Sequence, residues 1–130
     1  MPEEMQDQLP YLWKLLSAMR IPTIEKPGFE ADDIIAYACA HKKYEGWHKH
    51  IISSDRDFFQ LISEDVVLYR PIQKKLVDKP SLLAEHGIHP NNFALARAVA
   101  GDKSDNLPGI PRAGLKTIKN KLNRYSIISY

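Results

Sequence analysis

The stretch His50–Ile62, HIISSDRDFFQLI, decides how the rest of the chain is read. His50 to Ser54 is a short apolar run of the length and composition that forms a buried parallel strand. Its carboxyl end delivers Asp55 and Asp57, and Phe58, Phe59, Leu61 and Ile62 then fit one helical turn packed on a sheet. In an extended segment, residues two apart face the same side, so Asp55 and Asp57 can share a metal ion. In open α/β sheets the functional crevice lies at the carboxyl ends of the strands, which is where these acids fall.

Upstream, Pro2 to Met19 sets Leu12, Leu15, Leu16 and Met19 at helical spacing, with Pro10 expected to kink or restart the helix. Ile21 to Glu25 is predicted as a strand ending in a turn at Pro27-Gly28. From Glu30 to about Tyr44, Ile34, Ile35, Ala38 and Cys39 recur at helix spacing, with acids in the first turn and Lys42 and Lys43 in the last, as the helix dipole favours. Gly46 is expected to end that helix. Downstream, Val66 to Tyr69 reads as a second strand, Gln73 to Asp78 as its hairpin partner, and Pro80 to His86 and Pro90 to Ala100 as helices. Strand and helix alternating at this spacing argues a parallel α/β sheet with flanking helices, followed by a helical subregion.

That subregion runs into Gly101–Arg124, GDKSDNLPGIPRAGLKTIKNKLNR. Asp102 and Asp105 stand three apart, a spacing that aims both carboxylates at one point if the backbone is helical. A Pro/Gly turn, LPGIPRAG, follows, and residues 106 to 124 carry five cations and no acid. A turn whose backbone groups approach a phosphate, with Lys116 and Lys119 alongside, fits a nucleic-acid contact; a plain helix connector with a solvated basic helix is the alternative. A nucleotide-binding P-loop is excluded, because Leu115 separates Gly114 from Lys116 and no buried strand leads in.

Of the sixteen acids, seven fall in three clusters: Glu30, Asp32 and Asp33; Asp55 and Asp57; Asp102 and Asp105. Singly, each cluster has a plain reading as helix N-terminal charge, a turn cap or an Asx turn. Brought together in one α/β domain they would repel strongly unless cations were bound. Two divalent ions roughly 4 Å apart, clamping a phosphodiester, are the familiar use of such an acidic nest. Magnesium suits an all-oxygen site, with manganese as a substitute.

The 130 residues fit one domain, and the net charge of +2 says little beside this uneven distribution. Cys39 is the only cysteine, so an internal disulfide is impossible and a reducing compartment is expected. The histidines lack the spacing of a structural zinc site and read as surface or cap residues. No apolar run approaches the ~20 residues needed to span a bilayer, and the N-terminus is acidic rather than signal-like, so a soluble, intracellular protein with no membrane partner is expected.

The ordered motifs GFEADD, IISSDRDFFQL and AGDKSDNLPGIPRAGLKT, at residues 28–33, 51–61 and 100–117, resemble the 5′-nuclease family: flap endonucleases, bacteriophage 5′-exonucleases and the nuclease domain of bacterial DNA polymerase I. The likeness extends from about residue 2 to residue 122. The resemblance implies a PIN-like α/β nuclease core (a parallel sheet with flanking helices) over residues 1–79, truncated at its amino end. Residues 80–130 would then hold the acidic pair and a helix-hairpin-helix-type motif. It implies metal-dependent cleavage of DNA with 5′ flaps or ends, with Glu30, Asp32, Asp33, Asp55, Asp57, Asp102 and Asp105 as metal-site carboxylates, and Asp55, Asp57 and Asp102 as the catalytic set. Gly109, Arg112, Gly114, Lys116, Thr117 and Lys119 would hold the DNA backbone, and the carbonyls of Pro108, Ile110 and Ala113 a potassium ion.

Two departures stand out. The family's hairpin usually has glycine where this chain has Arg112, and a branched apolar residue where it has Ala113. The family's first strand, with its early aspartates, and its helical arch have no counterpart here, so a separate amino-terminal half is an expected partner. The alternative is a non-catalytic DNA-binding remnant that uses the hairpin alone.

Overall fold

The computed structural model describes residues 3–102 and 106–122, and the chain divides into two compact units, Met1–Ile34 and Ile35–Tyr130. In the first, helices α1 (Glu3–Gln6) and α2 (Leu9–Ala18) are separated at the point where Pro10 lies in the first turn of α2, where its missing N–H costs nothing. Proline therefore restarts the helix. Ile21 to Glu25 does not form the predicted strand: residues 21–26 have no regular structure and are exposed. A strand needs a neighbour to complete its ladder, and the described residues of this unit offer only helices and turns. The turn at Pro27-Gly28 forms, with Gly28 at φ 82°, and leads into helix α3 (Ala31–Ala40).

From Ile35 onward α3 belongs to the second unit. It stops at Ala40, short of the predicted Tyr44, because His41 leaves the helical region (ψ 129°) and its ring Nδ1 accepts from the Lys43 N–H at 3.0 Å, starting a separate 3₁₀ turn over Lys42–Tyr44. Strand β1 (Lys49–Ile52) pairs in parallel with β2 (Val66–Arg70), Ile51 opposite Leu68, and β3 (Lys75–Val77) closes a hairpin on β2. The sheet is thus mixed rather than wholly parallel. Its first strand is covered on one face only: Ile51 is buried, Ile52 71% exposed.

A 3₁₀ turn over Asp57–Leu61 drops Phe58 and Phe59 into the core. Helix α4 (Lys79–His86) starts from a capping box in which the Asp78 carboxylate accepts from the Ser81 N–H and the Ser81 hydroxyl accepts from the Asp78 N–H, both at 2.9 Å. That arrangement holds the Asp78 carboxyl below its ordinary range. His89 caps the 3₁₀ turn at Pro90–Asn92, and helix α5 (Phe93–Ala100) follows. The core binds these segments to the sheet: Phe59, Leu68, Leu82 and Ile88 are at most 1% exposed and share one cluster with Val77, Phe93 and Ala96. His86, expected at the surface, instead lies at the edge of this core, its ring 5.3 Å from Phe59 and 5.9 Å from Phe93. Burial lowers its pKa. Cys39 packs against the same cluster, and burial pushes its thiol up, away from the reactive thiolate.

After α5 the backbone does not continue as a helix. Gly101, at φ 76°, turns it into a two-residue strand β4 (Gly101–Asp102), antiparallel to β5 (Leu107–Pro108). The helical spacing expected to bring Asp102 and Asp105 to one point is therefore not the local geometry at Asp102; Asp105 lies outside the described residues. Helix α6 (Leu115–Leu122) closes the unit, with Ile118 in the core. Among the described residues no helix is long and apolar enough to cross a membrane.

Candidate metal and nucleic-acid site

The second unit brings Asp57 and Asp102 onto a single cation. Asp57 begins the 3₁₀ turn beyond the carboxyl end of β1, Asp102 sits in β4, and Arg97 reaches both from the last turn of α5. Its Nη2 donates to Asp57 Oδ1 at 2.8 Å and also to Asp102 Oδ2. The three side chains are 41% (Asp57), 12% (Asp102) and 28% (Arg97) exposed, so the cluster is partly desolvated and its attractions are stronger than those of a surface pair. Two carboxylates thus share one guanidinium nitrogen. They line a cleft of about 460 Å³ with Gln60, Leu107 and Pro108.

Two glycines fix where Asp102 points. A Cβ on Gly109 would lie 2.1 Å from the Ala100 carbonyl oxygen, and one on Gly101 would lie 2.2 Å from the Gly109 nitrogen. The end of α5 and the start of the hairpin thus touch backbone to backbone, and the Ile110 N–H donates to Val99 O at 2.9 Å. Gly109, read from sequence as a phosphate-approaching residue, has an internal reason to be glycine. Gly114 has open space around it.

The remaining predicted residues fall as follows. Glu30 precedes α3 and its N–H donates to Asp33 Oδ2 at 3.2 Å, while the Asp33 N–H donates to Asp32 Oδ1 at 2.9 Å. All three are exposed in the first unit, where they serve the helix N-terminus. Asp55 Oδ1 accepts from the Asp57 N–H at 2.9 Å, an Asx turn that orients Asp57. Arg112 adopts φ 65°, the left-handed conformation that glycine takes freely, so the turn keeps a glycine-type backbone with an arginine side chain. The Ala113 N–H donates to the Ile110 carbonyl at 3.0 Å, closing the hairpin turn. Lys116 and Thr117 lie in the first turn of α6. Lys119 runs across Gly87, where a Cβ would come within 2.0 Å of its Cε, a position that favours a cation because Gly87 caps the carboxyl end of α4.

Arg97 was not singled out from sequence, although a cation five positions before Asp102, in the last turn of an apolar helix, was the available signal. Behind Asp55, Arg70 Nη2 donates to the Ser54 carbonyl at 3.2 Å, and its guanidinium lies 5.7 Å from the Phe59 ring centre. Among the described residues no group of three or more His, Cys, Asp or Glu side chains stands ready to hold a metal. Hard oxygen donors already sharing one cation nevertheless match the donor chemistry of magnesium.

The family model described as "5′-3′ exonuclease, N-terminal resolvase-like domain" matches residues 1–87. A 5′-3′ exonuclease of Aquifex aeolicus is 35% identical over 127 residues, covering 98% of this chain and 44% of that protein. A solved T5 5′-exonuclease mutant superposes with a TM-score of 0.78 at 25% identity, covering 90% of this chain and 49% of its own. The bacteriophage T5 flap endonuclease, solved as a pseudo-enzyme-product complex with DNA and metal ions, gives 0.75 at 22% identity over 96% of this chain and 48% of its own. The chain spans about half the length of these relatives, and its mixed sheet with flanking helices has the PIN-like fold of the T5 enzyme. By the extent of the family match, the chain belongs to the 5′-3′ exonuclease family and carries its N-terminal resolvase-like domain.

Proposed function

We propose that this chain supplies the carboxylate wall and the DNA-backbone grip of a divalent-metal-dependent 5′-nuclease that hydrolyses DNA at 5′ flaps or ends. The observation that carries the reading is the convergence of Asp57 and Asp102, from distant segments, on one cationic nitrogen in a cleft. Asp55, Asp57 and Asp102 would hold magnesium or manganese, with Asp105 as a further carboxylate of the same unit; Glu30, Asp32 and Asp33 are proposed separately as metal-site carboxylates of the first unit. Bound magnesium supplies neutralisation of the phosphate charge and acidification of the attacking water. The residues themselves do the positioning: the Asx turn at Asp55 orients Asp57, and the Gly101–Gly109 contact fixes Asp102 beside the hairpin.

In the same reading the turn from Gly109 to Gly114 and the first turn of α6, with Arg112, Lys116, Thr117 and Lys119, hold the phosphodiester backbone, a contact that positions DNA without reading its bases. The carbonyls of Pro108, Ile110 and Ala113 are the potassium ligands; the Ile110 oxygen keeps a second lone pair beyond its turn hydrogen bond. A nuclease of this kind acts in the cytoplasm on DNA with 5′ flaps or ends.

The test is cleavage of a labelled 5′-flap duplex in magnesium by the chain alone and mixed with a polypeptide carrying the family's early aspartates and helical arch. Cutting is expected in the mixture, abolished by Asp57→Asn with Asp102→Asn and by a chelator. DNA binding without cutting under every condition replaces this reading with a DNA-binding role for the hairpin alone.

A further inference from the structure

The Arg97 guanidinium makes an unusual contact. Arginine ordinarily meets a carboxylate through two parallel N–H bonds, but here one nitrogen, Nη2, lies between oxygens of two different carboxylates. A single positive centre shared by two carboxylate oxygens is also what a divalent ion held by both carboxylates would present. We infer that Arg97 is an exchangeable counter-cation: it holds Asp57 and Asp102 together before metal binds and is displaced when a divalent ion takes the same two oxygens. This inference rests on the proposed metal-site reading and deepens it.

Three features support the exchange. The two carboxylates would repel across this short gap without a cation, so something must hold the preformed site closed, and Arg97 does so from the fold's own sequence. A divalent ion on the same oxygens would stand within a few ångströms of the guanidinium, an arrangement that like charges disfavour. The side chain also has somewhere to go, because it lines a cleft of about 460 Å³ and retains 28% exposure. Arg97 is thus a positioning residue that trades metal affinity for a site that stays ordered while empty of metal.

The experiment measures Mn²⁺ binding to the chain by electron paramagnetic resonance, beside thermal unfolding in chelator and in Mn²⁺. Arg97→Met keeps the apolar stem and removes the charge. The expected result is Mn²⁺ binding roughly tenfold tighter than wild type, since two charge-assisted hydrogen bonds no longer have to be broken. It comes with a lower midpoint in chelator and a larger upward shift on adding Mn²⁺. Arg97→Lys, which keeps the charge, is expected to stay close to wild-type affinity. A merely structural arginine would lower the midpoint without tightening Mn²⁺ binding, and that result overturns the inference.

Should Arg97→Met not fold, the wild-type chain answers the question. The Arg97 side-chain N–H resonances are expected to shift on Mg²⁺ addition with the midpoint of metal binding, and unmoved resonances at saturation overturn the exchange alone. If wild type binds no divalent ion, the metal-site reading falls and the exchange falls with it.

Discussion

Replacing Gly109 by alanine tests how the candidate site is held. The added Cβ would start 2.1 Å from the Ala100 carbonyl oxygen and 2.2 Å from its carbon, where ordinary contact begins near 3.4 Å. Those atoms are backbone at the end of α5 and cannot swing aside, so the two segments must part by about 1 Å, a distance set by van der Waals contact. Parting them strains the β4–β5 pairing and the 2.9 Å bond from Ile110 N–H to Val99 O. Overpacking of this kind costs about 1–3 kcal/mol, and a lost backbone hydrogen bond adds about 1. The expected loss is about 2–4 kcal/mol, or roughly 6–15 °C in thermal midpoint for a chain of this length. Gly114→Ala is the control, because nothing lies within 4 Å of its Cβ, and it should cost well under 1 kcal/mol as a surface change. Urea unfolding followed by far-UV circular dichroism measures both. Equal losses in the two variants would refute the backbone-contact argument.

Two further outcomes follow from the core. Phe59→Ala removes a side chain that is 1% exposed and meets Phe93 edge-on at 5.1 Å; it should cost about 3–5 kcal/mol by the same urea assay, and a loss below 1 would mean that the cluster is loosely packed. His86 should give stability a pH slope. Its pKa is lowered by burial, so the unfolded chain binds a proton more readily than the folded one; stability is therefore present above the ordinary value of 6.5 and is lost as pH falls below it. His86→Phe should flatten that part of the profile, and identical slopes in the two proteins would refute the assignment.

Much of the fold is legible because its signals are local. The apolar run before Asp55 marks β1, Pro10 marks the start of α2, and Pro80 marks the first turn of α4. The failures are non-local. Ile21 to Glu25 has the side chains of a strand, but a strand exists only when a neighbour completes its hydrogen bonds. The end of α3 moved because the His41 ring offered Lys43 an acceptor that competes with the helix. Asp102 left the helical frame because Gly101 can take a positive φ and Gly109 can lie against the backbone it exposes.

The sequence by itself determined the chemistry available: carboxylates at element ends, a Pro/Gly turn and a run of cations, all written in residue types and short spacings. Only the tertiary structure decided which of these meet. The ion pair joining Asp57, Arg97 and Asp102 depends on how α5 packs beside the turn after β1, through Phe59, Phe93 and Ala96. Packing of that kind comes from the closure of a core across distant segments, so no local pattern in the chain announces that an arginine will stand between two of its acids.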